Sequence, residues 1–153
     1  MAVTVRVAEG EADLALVHGV RRAVFIVEQG IPEDEEWDDL DPTSEHLLAV
    51  GADGTPLGTA RLIHGEQALK LTGGVEGRVL LGRLAVVAAA RGTGLGADLV
   101  RAIEAAALAR GAREVELHAQ VQALGFYERL GYAAEGPVYQ DGGIPHRTMT
   151  RVL

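Results

Sequence analysis

The sequence contains no cysteine among its 153 residues. Disulfides, thiolate zinc sites and a cysteine nucleophile are therefore excluded, and the composition suits a reducing compartment. No segment approaches the roughly 20 apolar residues of a membrane span. The opening stretch MAVTVRVAEGEADLAL has no basic region leading into an apolar run, so a cytoplasmic protein with no membrane partner is expected. Positive charge is also short: 14 Lys and Arg face 22 Asp and Glu, a net charge of -8. Such a surface repels nucleic acid phosphate and favours cationic small molecules or basic protein segments.

What is present is apolar and regular. With 48% hydrophobic residues the chain can bury a core without metals or disulfides, and one domain over residues 1–153 is expected. No internal repeat or low-complexity linker interrupts the alternation of strand and helix patterns. AVTVRVA alternates at period two as a first strand. Leu14, Val17, Val20, Val24 and Val27 then recur at helical spacing, so residues 11–29 are expected to be an amphipathic helix ended by GIP. Residues 45–65 read as two strands about the turn Asp53-Gly54, with ALKLTGG, residues 68–74, extending the antiparallel sheet. Residues 78–89 form a strongly apolar central strand, and a helix from Leu95 carries Leu99, Ala102, Ile103 and Ala106 on one face. EVELHA is the next strand, VQALGFYERLG a short helix, and YAAEG and PHRTMTRVL the last strands. The order β-α-β-β-β-α-β-α-β-β describes an α/β chain of mixed α+β type, its sheet flanked by helices.

Between the central strand and the long helix lies RGTGLG, residues 91–96. Three glycines at a strand-to-helix junction indicate that backbone N–H groups are needed for contact. Gly92, Gly94 and Ala97 satisfy the spacing of a dinucleotide loop, but Glu114 and Glu116 begin the following strand, whereas that fold needs its acidic residue at the strand's end. Too little chain follows Gly96 for two mononucleotide-binding halves, and no Gly-Lys-Ser/Thr follows for a nucleotide P-loop. A plain tight turn accounts for one or two of the glycines.

Arg91, Gly94 and Gly96 instead resemble the R/Q-x-x-G-x-G/A acyl-CoA motif of the GNAT superfamily of N-acetyltransferases. QVQALGFYERLGY, with Ala123, Phe126, Tyr127, Gly131 and Tyr132, is similar to that family's N-x-x-A-x-x-F-Y-x-x-x-G-F/Y segment. It departs in placing Gln120 where Asn is common, a longer side chain with the same amide donors and acceptor. The resemblance covers essentially the whole chain and implies a mixed, mostly antiparallel central sheet flanked by helices. It implies acetyl-CoA as cosubstrate, with no metal, its pyrophosphate held by the N–H groups of Gly92, Thr93, Gly94, Leu95 and Gly96 at a helix N-terminus. Arg91 adds charge near the phosphates. Backbone groups of Leu84, Ala85 and Val86 would pair with the pantetheine arm like an added strand, and Gln120 and Phe126 border the same site.

The implied chemistry is attack of an amine on a thioester. An alkyl ammonium with a pKa of about 10.4 must first lose a proton. Tyr127 is the implied general acid, since a phenol with a reference pKa near 10 stays protonated and can donate to a thiolate of pKa near 8.5; a core aromatic beside Phe126 is its other use. The N–H of Val86 is a candidate oxyanion donor. For the base, His118 and Glu28 are both candidates, against the ordinary roles of strand histidine and helix-end carboxylate. Glu28 and His146 are further candidates to face the acceptor.

PEDEEWDDLD, residues 32–41, holds seven acids. A solvated loop is the plain expectation; attraction of a cationic amine, with Trp37 covering it through a cation-π contact, is the functional one. No Gly occupies the centre of an EF-hand-like pattern, so no metal is expected. Two other readings stay open: a non-catalytic CoA-binding regulatory module and a nucleotide-binding domain. A homodimer is also allowed.

Overall fold

A computed structural model describes residues 2–153. Its strands are β1 (Val3–Val7), β2 (Glu45–Gly51), β3 (Pro56–Ile63), β4 (Arg78–Val86), β5 (Glu114–Gln120), β6 (Ala133–Asp141) and β7 (Ile144–Val152). They form one seven-stranded sheet in the order β1-β2-β3-β4-β5-β7-β6, antiparallel throughout except that β4 and β5 run parallel. The helices are α1 (Gly10–Arg21), α2 (Glu33–Glu36), α3 (Gly65–Leu71), α4 (Leu95–Ala109) and α5 (Leu124–Arg129).

The apolar stripe of α4 explains the main core. Leu95, Leu99, Val100, Ile103 and Ala107 are buried against Leu47, Leu62, Leu81, Val115 and Leu117, from one face of the sheet. Helix α1 and the turn that continues it cover the other face, where Val20 and Val24 pack with Ala85 of β4. Both helices lie across the middle strands, and the outward face of β6 stays largely exposed.

Three local expectations need correction. Residues 68–74 do not extend the sheet: Gly65–Leu71 is helix α3. Its Glu, Gln, Ala, Leu and Lys are strong helix formers, and only Ala68 is buried, beside Ile63 and Leu80. The first helix runs on to Glu28, but Arg22–Glu28 is π-helical, with Gln29 N–H donating to Val24 C=O at 3.1 Å. The wider turn moves the apolar stripe out of phase, leaving Val27 74% exposed. YAAEG and PHRTMTRVL are also longer than their alternation showed, forming the hairpin β6–β7 about Gly142-Gly143, both at positive φ.

The acidic stretch is not a solvated loop. Arg21, fully buried, donates from Nε to Glu36 at 2.8 Å and from Nη1 to Asp41 at 2.8 Å. Arg61 of β3 donates to Asp38 and Asp41 at 2.7 and 2.8 Å, and Arg83 Nε lies 3.1 Å from Glu36. The run is therefore a clasp that ties α2 and the segment after it to α1, β3 and β4. Burial pushes the Asp41 carboxyl up, but the guanidinium groups of Arg21 and Arg61 outweigh it and hold the pKa at about 2.

Candidate active site

Strands β4 and β5 pair only over their first residues, from Arg78 with Glu114 to Leu81 with Leu117. Beyond Leu81 they part. On its other edge β4 remains paired with β3 up to Val86, with a register shift opposite Thr59 and Arg61. Arg83, φ +50, sits within this bulge. Val87 N–H reaches Leu57 C=O of β3 at 3.0 Å, so by strand alternation the groups of Val86 face the gap. Ala85, paired with Thr59, turns its own groups toward β3. Arg91 Nε donates to Val86 C=O at 3.0 Å, leaving the Val86 N–H as the open donor.

The gap widens into a cleft of about 1380 Å³. Leu84, Ala85 and Val86 form one wall, His118 and Gln120 another, with Phe126 and Tyr127 from α5 alongside. Arg91, Gly92, Gly94, Leu95 and Gly96 close one end. Asp98 N–H is the first α4 amide to reach a helical carbonyl, that of Gly94 at 3.1 Å, so the amides before it form an anion-binding terminus. Gly92 and Gly94 have φ +77 and +85, which favour glycine. Gly96 is glycine for a different reason: a Cβ there would meet Phe126 Cζ at 3.3 Å.

Thr93 and Trp37 do not border the cleft. The Thr93 hydroxyl donates to Ala90 C=O at 2.6 Å. The Trp37 ring is occupied by the chain's own cations, with Arg21 5.0 Å and Arg22 5.8 Å from its centroid and His18 beside it. Leu95 contributes through its backbone, its side chain lying in the core.

Tyr127 is buried, and burial alone pushes its phenol up to about 12. It stands edge-on to Phe126, with ring centroids 4.9 Å apart. Glu28 reaches the cleft from the π-helical turn but is bound by Arg91 at 2.6 and 2.7 Å. The Arg91 hydrogen bonds hold its carboxyl below the usual range, which weakens it as a base near neutrality. Both ring nitrogens of His118 are engaged, Nε2 with Glu116 at 2.8 Å and Nδ1 with the Tyr139 hydroxyl. The His146 ring has Nδ1 2.7 Å from Ile144 C=O, and the Gln120 side-chain carbonyl accepts from Gln122.

A GNAT acetyltransferase domain matches residues 23–153. The chain belongs to the GNAT acetyltransferases. GNAT relatives include YjcF of Bacillus subtilis, an uncharacterised N-acetyltransferase, at 34% identity over 95% of this chain and 96% of the relative. An acyl-CoA N-acyltransferase from Pseudomonas aeruginosa is 35% identical, with a TM-score of 0.80 over 98% of both chains. Escherichia coli ElaA superposes with a TM-score of 0.83 at 25% identity, over 98% of this chain and 99% of that one. The protein is thus a GNAT acyltransferase that takes an acyl-CoA.

Sequence reasoning missed several cleft residues. Arg83 carries no motif; its place depends on the β4 bulge. Asp141 and Ile144 reach the cleft through the tight hairpin, and the Gly-Gly pair between them was the available signal. Glu35 also borders the cleft. Among the described residues no cluster of three or more metal-binding side chains occurs, and no helix is long and apolar enough to cross a membrane.

Proposed function

We propose that this chain is a cytoplasmic, one-domain N-acetyltransferase that moves an acetyl group from acetyl-CoA to a primary amine on a small molecule or an exposed protein segment. The observation that carries this reading is the parting of β4 and β5, with the glycine cradle at one end and the buried Tyr127 phenol alongside. The amides ahead of Asp98 suit a pyrophosphate, and Val86 N–H suits either the pantetheine arm or the thioester oxygen. Tyr127 acts as general acid. With its pKa raised to about 12 by burial it keeps its proton at neutral pH. Glu35 and Asp141 at the cleft edge suit a cationic acceptor.

The test is a panel of amines supplied with acetyl-CoA and with longer acyl-CoA thioesters, following free thiol. Acetyl-CoA and a cationic primary amine are expected to give the highest kcat/KM. Tyr127→Phe is expected to lower kcat by about 100-fold while leaving the Kd for acetyl-CoA within about twofold, because the phenol acts on the leaving sulfur and not on the bound nucleotide. Thiol release without any amine dependence would sink the proposal.

A further inference from the structure

All three nitrogens of the Arg91 guanidinium are engaged inside the cleft. Nε donates to Val86 C=O at 3.0 Å, Nη1 to Glu28 Oε2 at 2.6 Å and Nη2 to Glu28 Oε1 at 2.7 Å. Glu28, Val86 and Arg91 all line the cleft. Among the described residues neither Arg91 nor Glu28 forms a second ion pair, and no other side chain donates to the Glu28 oxygens. The two side chains are 43% and 45% exposed, so these bonds hold the contact and the packing around it does not.

The two acceptors are informative because of where they lie. One guanidinium is all that separates the Glu28 carboxylate from the Val86 carbonyl, and that carbonyl faces the gap together with the Val86 N–H. An alkyl ammonium has three donors and no acceptor. It suits the same two oxygens, one residue's length from the N–H that suits a thioester oxygen. Being smaller than a guanidinium, it needs the exposed Glu28 side chain to follow it inward. In the free protein the Arg91 guanidinium thus stands in for that ammonium. Arg91 also has another place to go: two of its five N–H groups are unused by these bonds, and it leads the glycine loop whose amides suit a pyrophosphate. A pyrophosphate brings two negative charges against the single one of Glu28 and accepts the same bidentate fork.

We propose that the Val86 carbonyl and the Glu28 carboxylate bind the ammonium of the acceptor, and that Arg91 fills this site until the pyrophosphate of an acyl-CoA draws its guanidinium away. The proposal rests on the acetyltransferase reading and names the cation site of that cleft. Glu28 holds the ammonium and is assigned no proton. Arg91 and the acceptor exclude each other, so binding of the donor favours binding of the acceptor. The pair that must break bounds this coupling, since an exposed ion pair is worth at most about fivefold in an equilibrium. An acyl-CoA should therefore tighten the amine about threefold, and by linkage the amine tightens CoA by the same factor. Glu35 and Asp141, also at the cleft, form no ion pair with Arg91, so their attraction for a cation adds affinity without this coupling.

The test is titration of n-butylamine, followed by NMR, into the free protein and into the protein saturated with CoA. The wild type, Arg91→Gln and Glu28→Gln are compared, with thermal melts confirming that each variant is folded. In the wild type CoA is expected to lower the Kd for n-butylamine about threefold. Arg91→Gln should bind the amine with the tighter value in both states, because nothing then fills the site. Glu28→Gln should bind it about tenfold more weakly than the CoA-loaded wild type, in both states, as expected for loss of a charged hydrogen-bond partner. A wild-type Kd that does not fall with CoA overturns the proposal. So does a threefold gain that persists in Arg91→Gln, which would come from the phosphate charges alone, or a wild-type Kd in Glu28→Gln. The two readings fail separately. A wild type that shows this binding pattern but releases no thiol with any amine of the panel overturns the function proposed above and leaves the cation site. Amine-dependent thiol release with an unchanged amine KM in Glu28→Gln overturns the cation site and leaves the function.

Discussion

Arg91 and Glu28 face each other across the cleft mouth as a two-point ion pair, Nη1 to Oε2 at 2.6 Å and Nη2 to Oε1 at 2.7 Å. Arg91 belongs to the glycine loop, so a pyrophosphate arriving there competes with Glu28 for the same guanidinium. Glu28→Gln is expected to tighten CoA binding about threefold at low salt, an effect of the size of an exposed ion pair, and the gain should fade as salt rises. Calorimetric titration of CoA checks this. An unchanged Kd together with a large fall in kcat would instead make Glu28 part of the acceptor chemistry.

Asp41 sets an acid limit on stability. Its folded pKa is depressed to about 2 from 3.8. Its contribution is therefore present above the unfolded value and lost as pH falls through the folded one. A depression of this size is worth about 2 kcal/mol. Thermal melts of the wild type should show that contribution fading between about pH 4 and pH 2. Asp41→Asn should flatten this part of the profile. At neutral pH, Arg21→Ala is expected to cost about 3 kcal/mol in chemical denaturation, because it leaves Glu36, 2% exposed, with Arg83 alone as its charged partner and takes one of the two guanidinium groups from Asp41.

Two glycines of the cradle should fail differently. Gly94→Ala forces a side chain onto φ +85 and is expected to cost about 1 kcal/mol of stability. It should also weaken CoA binding by displacing the first amides of α4. Gly96→Ala has ordinary backbone geometry but crowds Phe126 Cζ. A smaller stability loss is expected, with the effect appearing mainly in the KM for acetyl-CoA. Denaturant midpoints and KM values for the pair separate the two causes.

The raised Tyr127 phenol gives a pH prediction of opposite sense to that of Asp41. A donor held at about 12 stays protonated throughout the neutral and moderately alkaline range. Its titration should therefore not reduce kcat below about pH 11. A decline in kcat centred near pH 9 that vanishes in Tyr127→Phe would mean that burial does not protect the donor.

The motif residues were legible because their spacing reports local geometry. Arg91, Gly94 and Gly96 fix the cradle, and Phe126 and Tyr127 fix the next helix, so both reach the cleft. The stripe from Leu14 to Val24 likewise reported a buried helix face. Features set by distant partners were not legible. Seven acids in nine residues look solvated until Arg21, Arg61 and Arg83, supplied by three other elements, close on them. Trp37 looked free to meet an amine, but Arg21 and Arg22 hold it first. Val27 continued a perfect helical repeat, but a π turn has a different period. Tyr139 and His118 are 21 residues apart in sequence, and only the pairing of β6, β7 and β5 makes them neighbours.

The parallel step between β4 and β5 has a consequence for how freely the molecule can vary. A chain that returns parallel to itself must cross over through a connecting element, here α4. The crossover necessarily starts at the end of β4 where the two strands diverge, so the phosphate cradle and the gap share that end of the sheet. The opposite end carries the turn from α4 into β5, around Gly111, and helix α3. Neither α3 nor the turn at Gly111 lines the cleft, so a change in those loops does not cross the path of either substrate.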